Sequence, residues 1–229
     1  LKTLAPRPRS QRGVTLIELM VGLVIGLLVV AAAMGTMMVS RGISGTVSDA
    51  SNIHQQAAYA MRTIGLQLRQ AGSLRLDLNP TGATEDLASA AVDFEIQSGD
   101  FDYSKNIISG IDAPTGAEFK FTTGYRNYKE ALHSETDDAS QARDCLGKQP
   151  SETLIENNFV LKTATNELHC AGSNKTAQPV VEKVANFQVR YLVQENPAGD
   201  PQIKYATASA VGAKWGSVQA VEVCLVLYG

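Results

Sequence analysis

The stretch Gly13–Val39, GVTLIELMVGLVIGLLVVAAAMGTMMV, decides how this chain is read. One ionisable side chain, Glu18, interrupts it, and Leu19 to Val39 runs without a charge. A helix rises about 1.5 Å per residue, so about 20 apolar residues span the roughly 30 Å hydrocarbon core of a bilayer. Four cations precede it, Lys2, Arg7, Arg9 and Arg12. They hold the leader on the cytoplasmic side and send the rest across. A single-pass membrane protein with its bulk outside the cytoplasm is expected.

Glu18 needs a reason. A secretory signal cut at the small residues Ala31 to Ala33 is a competing reading, but such a signal has no use for an acid at the start of its apolar run. A carboxylate inside a membrane helix costs about 2.5–3.5 kcal/mol at the helix centre and points to a partner. Removing the leader after Gly13 would create one. Val14 would then carry a free α-amino group, ordinarily protonated below about pH 8. Glu18 lies four residues on, along the same helix face. Between staggered parallel helices, Glu18 of one chain would neutralise the Val14 amine of the next. Unpaired charges in low dielectric are strongly disfavoured, so this pairing would set the register of an assembly.

The string Arg12-Gly13-Val14-Thr15-Leu16-Ile17-Glu18-Leu19-Met20 resembles the class III signal of type IV prepilins and type II secretion pseudopilins. The resemblance implies peptidase cleavage between Gly13 and Val14 and N-methylation of Val14, where the family usually has phenylalanine. Thr15 and Glu18 would be the residues of assembly, with Glu18 directing entry into the filament.

Gly22 and Gly26 have the G-x-x-x-G spacing, which either draws helices together or reflects the abundance of glycine in membrane spans. At Ser40-Arg41-Gly42-Ile43-Ser44-Gly45 helix propensity drops, and a bend or melted joint is expected there. From Ser48 an apolar stripe returns at helical spacing: Ile53, Ala57, Ala60 or Met61, Ile64 and Leu68, with Gln, Arg and Asn opposite. Gly72 sits where a C-terminal cap belongs. The organisation expected is a leader over 1–13, a transmembrane or filament-core helix over 14–47, and its amphipathic half over 48–72. A globular periplasmic β-sheet domain over 73–229 would follow.

Strand-like alternation marks Val92–Ile96, Ala117–Phe121, Phe187–Tyr191 and Val221–Leu225. Asn158–Thr163 and Glu167–Cys170 read as a hairpin through Ala164-Thr165-Asn166. One-sided alternation calls for an antiparallel sheet with one face covered, and the helix stripe is the cover. The fold class expected is α+β, a long N-terminal helix against an antiparallel sheet, pilin-like. Residues 122–154 form a polar, acidic stretch, with Asp137, Asp138 and Asp144, read as a long loop.

Three further segments resemble PilW-type minor pilins. They are Ala57–Gly72 at the helix end, Asp144-Cys145-Leu146-Gly147 followed by Leu168-His169-Cys170, and Val180–Tyr191. The resemblance, with both cysteines bordering loop and hairpin, implies a Cys145–Cys170 disulfide in an oxidising compartment. In the entropic model it would be worth roughly 3 kcal/mol. Cys224, in the terminal apolar strand, is expected to be a buried free thiol.

Other chemistries find little support. Cys145, His169 and Cys170 lack the paired spacing of a zinc site, so no metal and no cofactor are expected. His54, His133 and His169 accompany no nucleophile motif, and no catalytic residue is assigned. Losing the leader removes four basic and no acidic residues, taking the formal charge from −3 to −7. That disfavours a broad nucleic-acid surface. Lys120, Arg126 and Lys129, interleaved with Tyr125 and Tyr128, read as an exposed basic loop or a local patch. The chain opens on Leu1 without methionine and stops at Gly229 straight after an apolar strand, so neither end is taken as natural.

The function implied is a minor pilin that primes a type IV pilus and is incorporated at or near its tip, in support of twitching motility, adhesion and DNA uptake. Its partners would be other minor pilins, the major pilin, the prepilin peptidase, the inner-membrane assembly platform and the membrane itself. It would sit in the bacterial inner membrane before assembly and on the cell surface afterwards. Two alternatives stand: a J-like minor pseudopilin of type II secretion, and a tip adhesin or DNA-binding subunit seated on 122–154.

Overall fold

The computed structural model describes residues 13–78, 92–133, 137–196 and 198–229. The leader expected over 1–13 lies, up to Arg12, outside the described residues. The chain divides after Ser51 into two units, each taken by itself.

The first unit is the apolar part of helix α1, Leu16–Gln70. It is long and apolar enough to cross a membrane. Its large apolar side chains from Val14 to Val47 are 49% to 78% exposed among the described residues. Helical structure continues through Ser40–Gly45, where a melted joint was expected. Gly42 and Gly45 each cost only about 1 kcal/mol against alanine, and propagating an existing helix is cheap beside starting one. Thr36 and Thr46 donate their hydroxyls to the carbonyls of Ala33 and Ile43, both at 2.9 Å, which satisfies them inside their own helix.

The second unit begins with the amphipathic end of α1. Ala60 and Ile64 are its buried apolar residues, and Ile53, Ala57 and Leu68 are half-buried. Met61, the alternative to Ala60 in the sequence, is exposed. Gly72 ends the helix at φ +73°, a left-handed conformation that glycine adopts freely. Its N–H donates to the carbonyl of Gly124 at 2.9 Å, tying the helix end to a strand.

Among the described residues twelve strands follow, all paired antiparallel. Two short ribbons come first: β1 (Leu76–Asp77) with β2 (Asp93–Phe94), and β3 (Gln97–Ser98) with β4 (Phe101–Asp102). A five-stranded sheet is ordered as numbered: β5 (Ile108–Gly110), β6 (Phe121–Arg126), β7 (Leu154–Lys162), β8 (Glu167–Ala171) and β9 (Ala177–Val181). A three-stranded sheet places β10 (Val184–Glu195) between β11 (Gln202–Ala206) and β12 (Val218–Leu227). A short helix α2 (Ala208–Val211) and a 3-10 turn (Trp215–Ser217) join β11 to β12. The core runs from Ala60 and Ile64 through Phe121, Phe159 and Leu168 to Val184, Phe187, Val189 and Tyr191. Phe121 stacks on Phe159 at 6.1 Å, and Tyr191 meets Trp215 edge-on at 5.0 Å. The α+β reading holds, with two antiparallel sheets where one was expected.

The hairpin expected around residue 164 is β7–β8, with Phe159 opposite Cys170 and Asn166 at φ 54° in its turn. The strand expected at 117–121 instead starts at Phe121 and runs to Arg126. Thr115 and Glu118 close a turn just before it, with the Thr115 N–H donating to the Glu118 carboxylate at 2.8 Å. The long loop therefore gives up its first residues to β6. Its remainder is tied by buried polar bonds: Asn127 Nδ2 donates to the carbonyls of Pro150 and Glu152, and Ser140 Oγ donates to Asn127.

The stretch Val92–Ile96 departs further. Only Asp93 and Phe94 pair, and Val92, Phe94 and Ile96 are 55–57% exposed, as are Leu76 and Leu78 at 44% and 55%. Polar groups hold this ribbon instead. Glu95 binds Arg75 at 2.9 Å and Arg126 at 2.7 Å, the latter only 8% exposed. Its apolar side chains face outward.

Candidate assembly site

Val14 and Thr15 lie just ahead of α1, exposed together with Gly13. The first turn is a capping box in its spacing. The Glu18 N–H donates to Thr15 Oγ1. The Glu18 carboxylate in turn accepts from both the N–H and the hydroxyl of Thr15, all three contacts at 3.4 Å. Two of the unpaired donors at the helix start thus meet side chains three residues apart. An acid here also faces the positive end of the helix dipole. The sequence reading paired Glu18 with a second chain and did not identify this contact within the chain, although T-x-x-E is its signature. Gly22, Gly26 and Gly35 have no atom of the chain near the position a Cβ would take. Gly22 and Gly26, one turn apart, share an open face of the exposed helix, and Gly35 lies on the opposite side.

In the β-sheet unit Cys145 and Cys170 are joined by a disulfide, with Cα atoms 6.5 Å apart. It anchors the segment between β6 and β7 to the interior of the sheet, since Cys170 is fully buried. Asp144 shapes the adjoining turn by accepting from the N–H groups of Leu146 and Lys148, both at 2.9 Å. A Cβ on Gly172 would collide with the Asp144 carboxylate. The same segment meets the helix through Gln67 and Tyr125. The Tyr125 hydroxyl donates to the Arg143 carbonyl at 2.7 Å and lies 3.3 Å from Gln67 Oε1. Burial pushes the Tyr125 hydroxyl up to about 12. Gln67 was assigned to the polar face of the helix; it is buried because a tyrosine and a carbonyl await it.

Two sequence readings are corrected here. Tyr125 and Arg126 belong to β6 and are buried, while Lys120 donates to the Asp112 carbonyl at 2.5 Å. No basic loop runs from Lys120 to Lys129; only Tyr128 and Lys129 of that group are exposed. Cys224 is exposed rather than buried, because it alternates with Val223 and Leu225 on an edge strand whose inner face takes those two. His169, set beside the disulfide, bonds Glu167 at 2.9 Å. Among the described residues no cluster of metal-ligating side chains occurs.

An open groove of about 680 Å³ lies at the end of α1, between Leu68, Arg69, Tyr103, Ile107, Trp215 and Val221. Below it, Asp112 accepts from the N–H groups of Ala208 and Ser209, both at 2.9 Å, and fixes α2. Burial works to raise the pKa of Asp112, but the hydrogen bonds from Ser209 and Ala208 outweigh it and hold this carboxyl below the usual aspartate range.

Two family descriptions match this chain. The prokaryotic N-terminal methylation motif covers residues 8–34, and the type IV pilus-assembly protein W domain covers residues 152–229. No curated protein and no solved structure matches it. The first match spans Gly13 to Glu18 and the exposed helix as far as Met34; the second spans β7 to β12, the disulfide's Cys170 included. Over these two stretches the chain is similar to prepilin-type N-terminal methylation motifs and to the type IV pilus-assembly protein W family.

Proposed function

We propose that this chain is a minor pilin that primes filament growth and is incorporated at or near the pilus tip. The observation that carries the reading is the coexistence of a methylation-type N-terminus with a PilW domain on one chain. On this reading the peptidase cuts between Gly13 and Val14, and Val14 is methylated. Glu18 pairs with the amine of a neighbouring subunit. The capping box gives Glu18 a second role. It offers the acid Thr15 donors while the subunit waits in the inner membrane, before an amine from another chain replaces them. Until assembly the exposed apolar helix is covered by lipid, and afterwards by other minor pilins and the major pilin. The β-sheet domain lies in the periplasm first and on the cell surface later, and the inner-membrane assembly platform moves it between the two.

The test is the intact mass and N-terminal peptide of the protein from native membranes. A terminus at Val14 carrying one added methyl group is expected. A terminus near Ala33, or a retained leader, refutes the pilin reading. Glu18→Ala should leave cleavage intact and abolish incorporation; normal incorporation of that variant refutes the register role.

A further inference from the structure

Sheet edges are rows of unpaired N–H and C=O groups, and proteins guard them with short strands, prolines, charges or covers. Three of the four edges of the two main sheets are guarded. Strand β5 has three residues, β9 carries Pro179, and β11 has five residues with Lys204 held to Glu195. Strand β12 is different. It runs ten residues, VQAVEVCLVL, and among the described residues pairs only with β10. It carries no proline and a single charge, Glu222.

Its inner face is also unfinished. Phe187, Val189 and Tyr191 of β10 are almost fully buried, whereas their β12 neighbours Leu225, Val223 and Val221 are only half-buried. The apolar layer is thus closed over β10 and open toward β12. The N-terminal end of β12 leads into the 680 Å³ groove, which Val218 and Val221 help to line. At that groove stands Arg69, a cation with no hydrogen-bond or ion-pair partner among the described residues.

We propose that β12 and this groove receive an extended segment of a different chain, added to the sheet as a further strand. Its backbone completes the β12 ladder, its alternate apolar side chains finish the inner layer, and a carboxylate meets Arg69. A second copy of β12 does not fit. Its one acid, Glu222, alternates onto the outer face, away from the inner layer and from Arg69. The inference rests on the assembly reading above, and it goes further by assigning a contact surface and the chemistry of its occupant.

The experiment uses the full-length protein in native membranes. Gln219 and, separately, Ile203 on β11 are replaced by the photocrosslinker p-benzoylphenylalanine, and the captured peptide is sequenced. The expected product at position 219 is a segment of another chain with apolar residues at every second position and an Asp or Glu within reach of residue 69. Position 203 should give no such product. Arg69→Glu should cut the yield about tenfold, and a Lys in place of the partner's acid should restore it. Formation of the Cys145–Cys170 bridge checks that the Arg69 variant has folded, and the position-219 result in the otherwise unchanged chain stands without that variant. Capture of a second copy through β12, of a helical segment, of the same product at 203, or of nothing overturns the proposal. The mass of the N-terminus in the same samples tests the pilin reading separately.

Discussion

Replacing both Cys145 and Cys170 by alanine should remove roughly a third or more of the stability of the β-sheet unit. The two cysteines are 25 residues apart, and closing a loop of that size in the unfolded chain is worth about 3.5 kcal/mol in the entropic model. Cys170 is fully buried and Cys145 is 7% exposed, so deleting two sulfur atoms from packed surroundings adds on the order of 1 kcal/mol. The expected loss is about 4–5 kcal/mol, against the 5–15 kcal/mol typical of a domain. The assay is urea unfolding of the full chain in detergent micelles, followed by the fluorescence of Trp215. It is the one tryptophan in the sequence, and it packs edge-on against core Tyr191, so it reports the unit after Ser51. The slope against urea should rise as the unlinked chain unfolds to a more open state. A loss below about 1 kcal/mol would refute the view that the bridge holds the segment between β6 and β7 to the sheet.

Four further outcomes are expected. Thr15→Val should expose the first amides of α1 to exchange about fivefold faster, the equivalent of about 1 kcal/mol of capping, with Thr15→Ser near wild type; equal rates in the two variants would exclude the hydroxyl contact. Gly172→Ala should destabilise the sheet unit by about 1–3 kcal/mol in the Trp215 assay, because the new methyl meets the Asp144 carboxylate; an unchanged midpoint would refute that contact. Asp112 is held below the usual aspartate range, so its contribution is present above the unfolded-state value and fades as pH falls through the lower folded value. Asp112→Asn should therefore flatten the acid limb of stability against pH, and an unaltered limb would contradict the Ser209 and Ala208 contacts. Phe159→Ala, at a fully buried ring stacked on Phe121, should cost about 3–5 kcal/mol in urea, and a cost below about 1 kcal/mol would show that the site collapses to fill the gap.

What the sequence disclosed was mostly local. The apolar run, the stripe from Ile53 to Leu68 and the hairpin through Asn166 each depend on neighbours a few residues away, and all three appear as read. The misreadings involve distant partners. Alternation at Val92–Ile96 reveals two faces but not which one is inward; Arg126, 31 residues from Glu95, decided that. Gln67 reads as solvent-facing until Tyr125, 58 residues away, supplies its partner. Cys224 was judged by its apolar neighbours, yet alternation on an edge strand turns it outward. At the N-terminus Thr15 and Glu18 were recognised by resemblance, while their mutual contact was legible from spacing alone.

The outward-facing ribbon of Leu76, Leu78, Val92, Phe94 and Ile96 has an evolutionary consequence. In an ordinary strand the residues that face a partner are drawn from the same alternation that fills the core, so changing one set constrains the other. Here Glu95, Arg75 and Arg126 hold the ribbon in place, and the exposed side chains contribute little to folding. They are free to drift. Exchange of Phe94 or Ile96 for a polar or smaller residue should leave the fold intact, while loss of Glu95 or Arg126 should not. Surface character and structural integrity thus rest on separate residues of this ribbon.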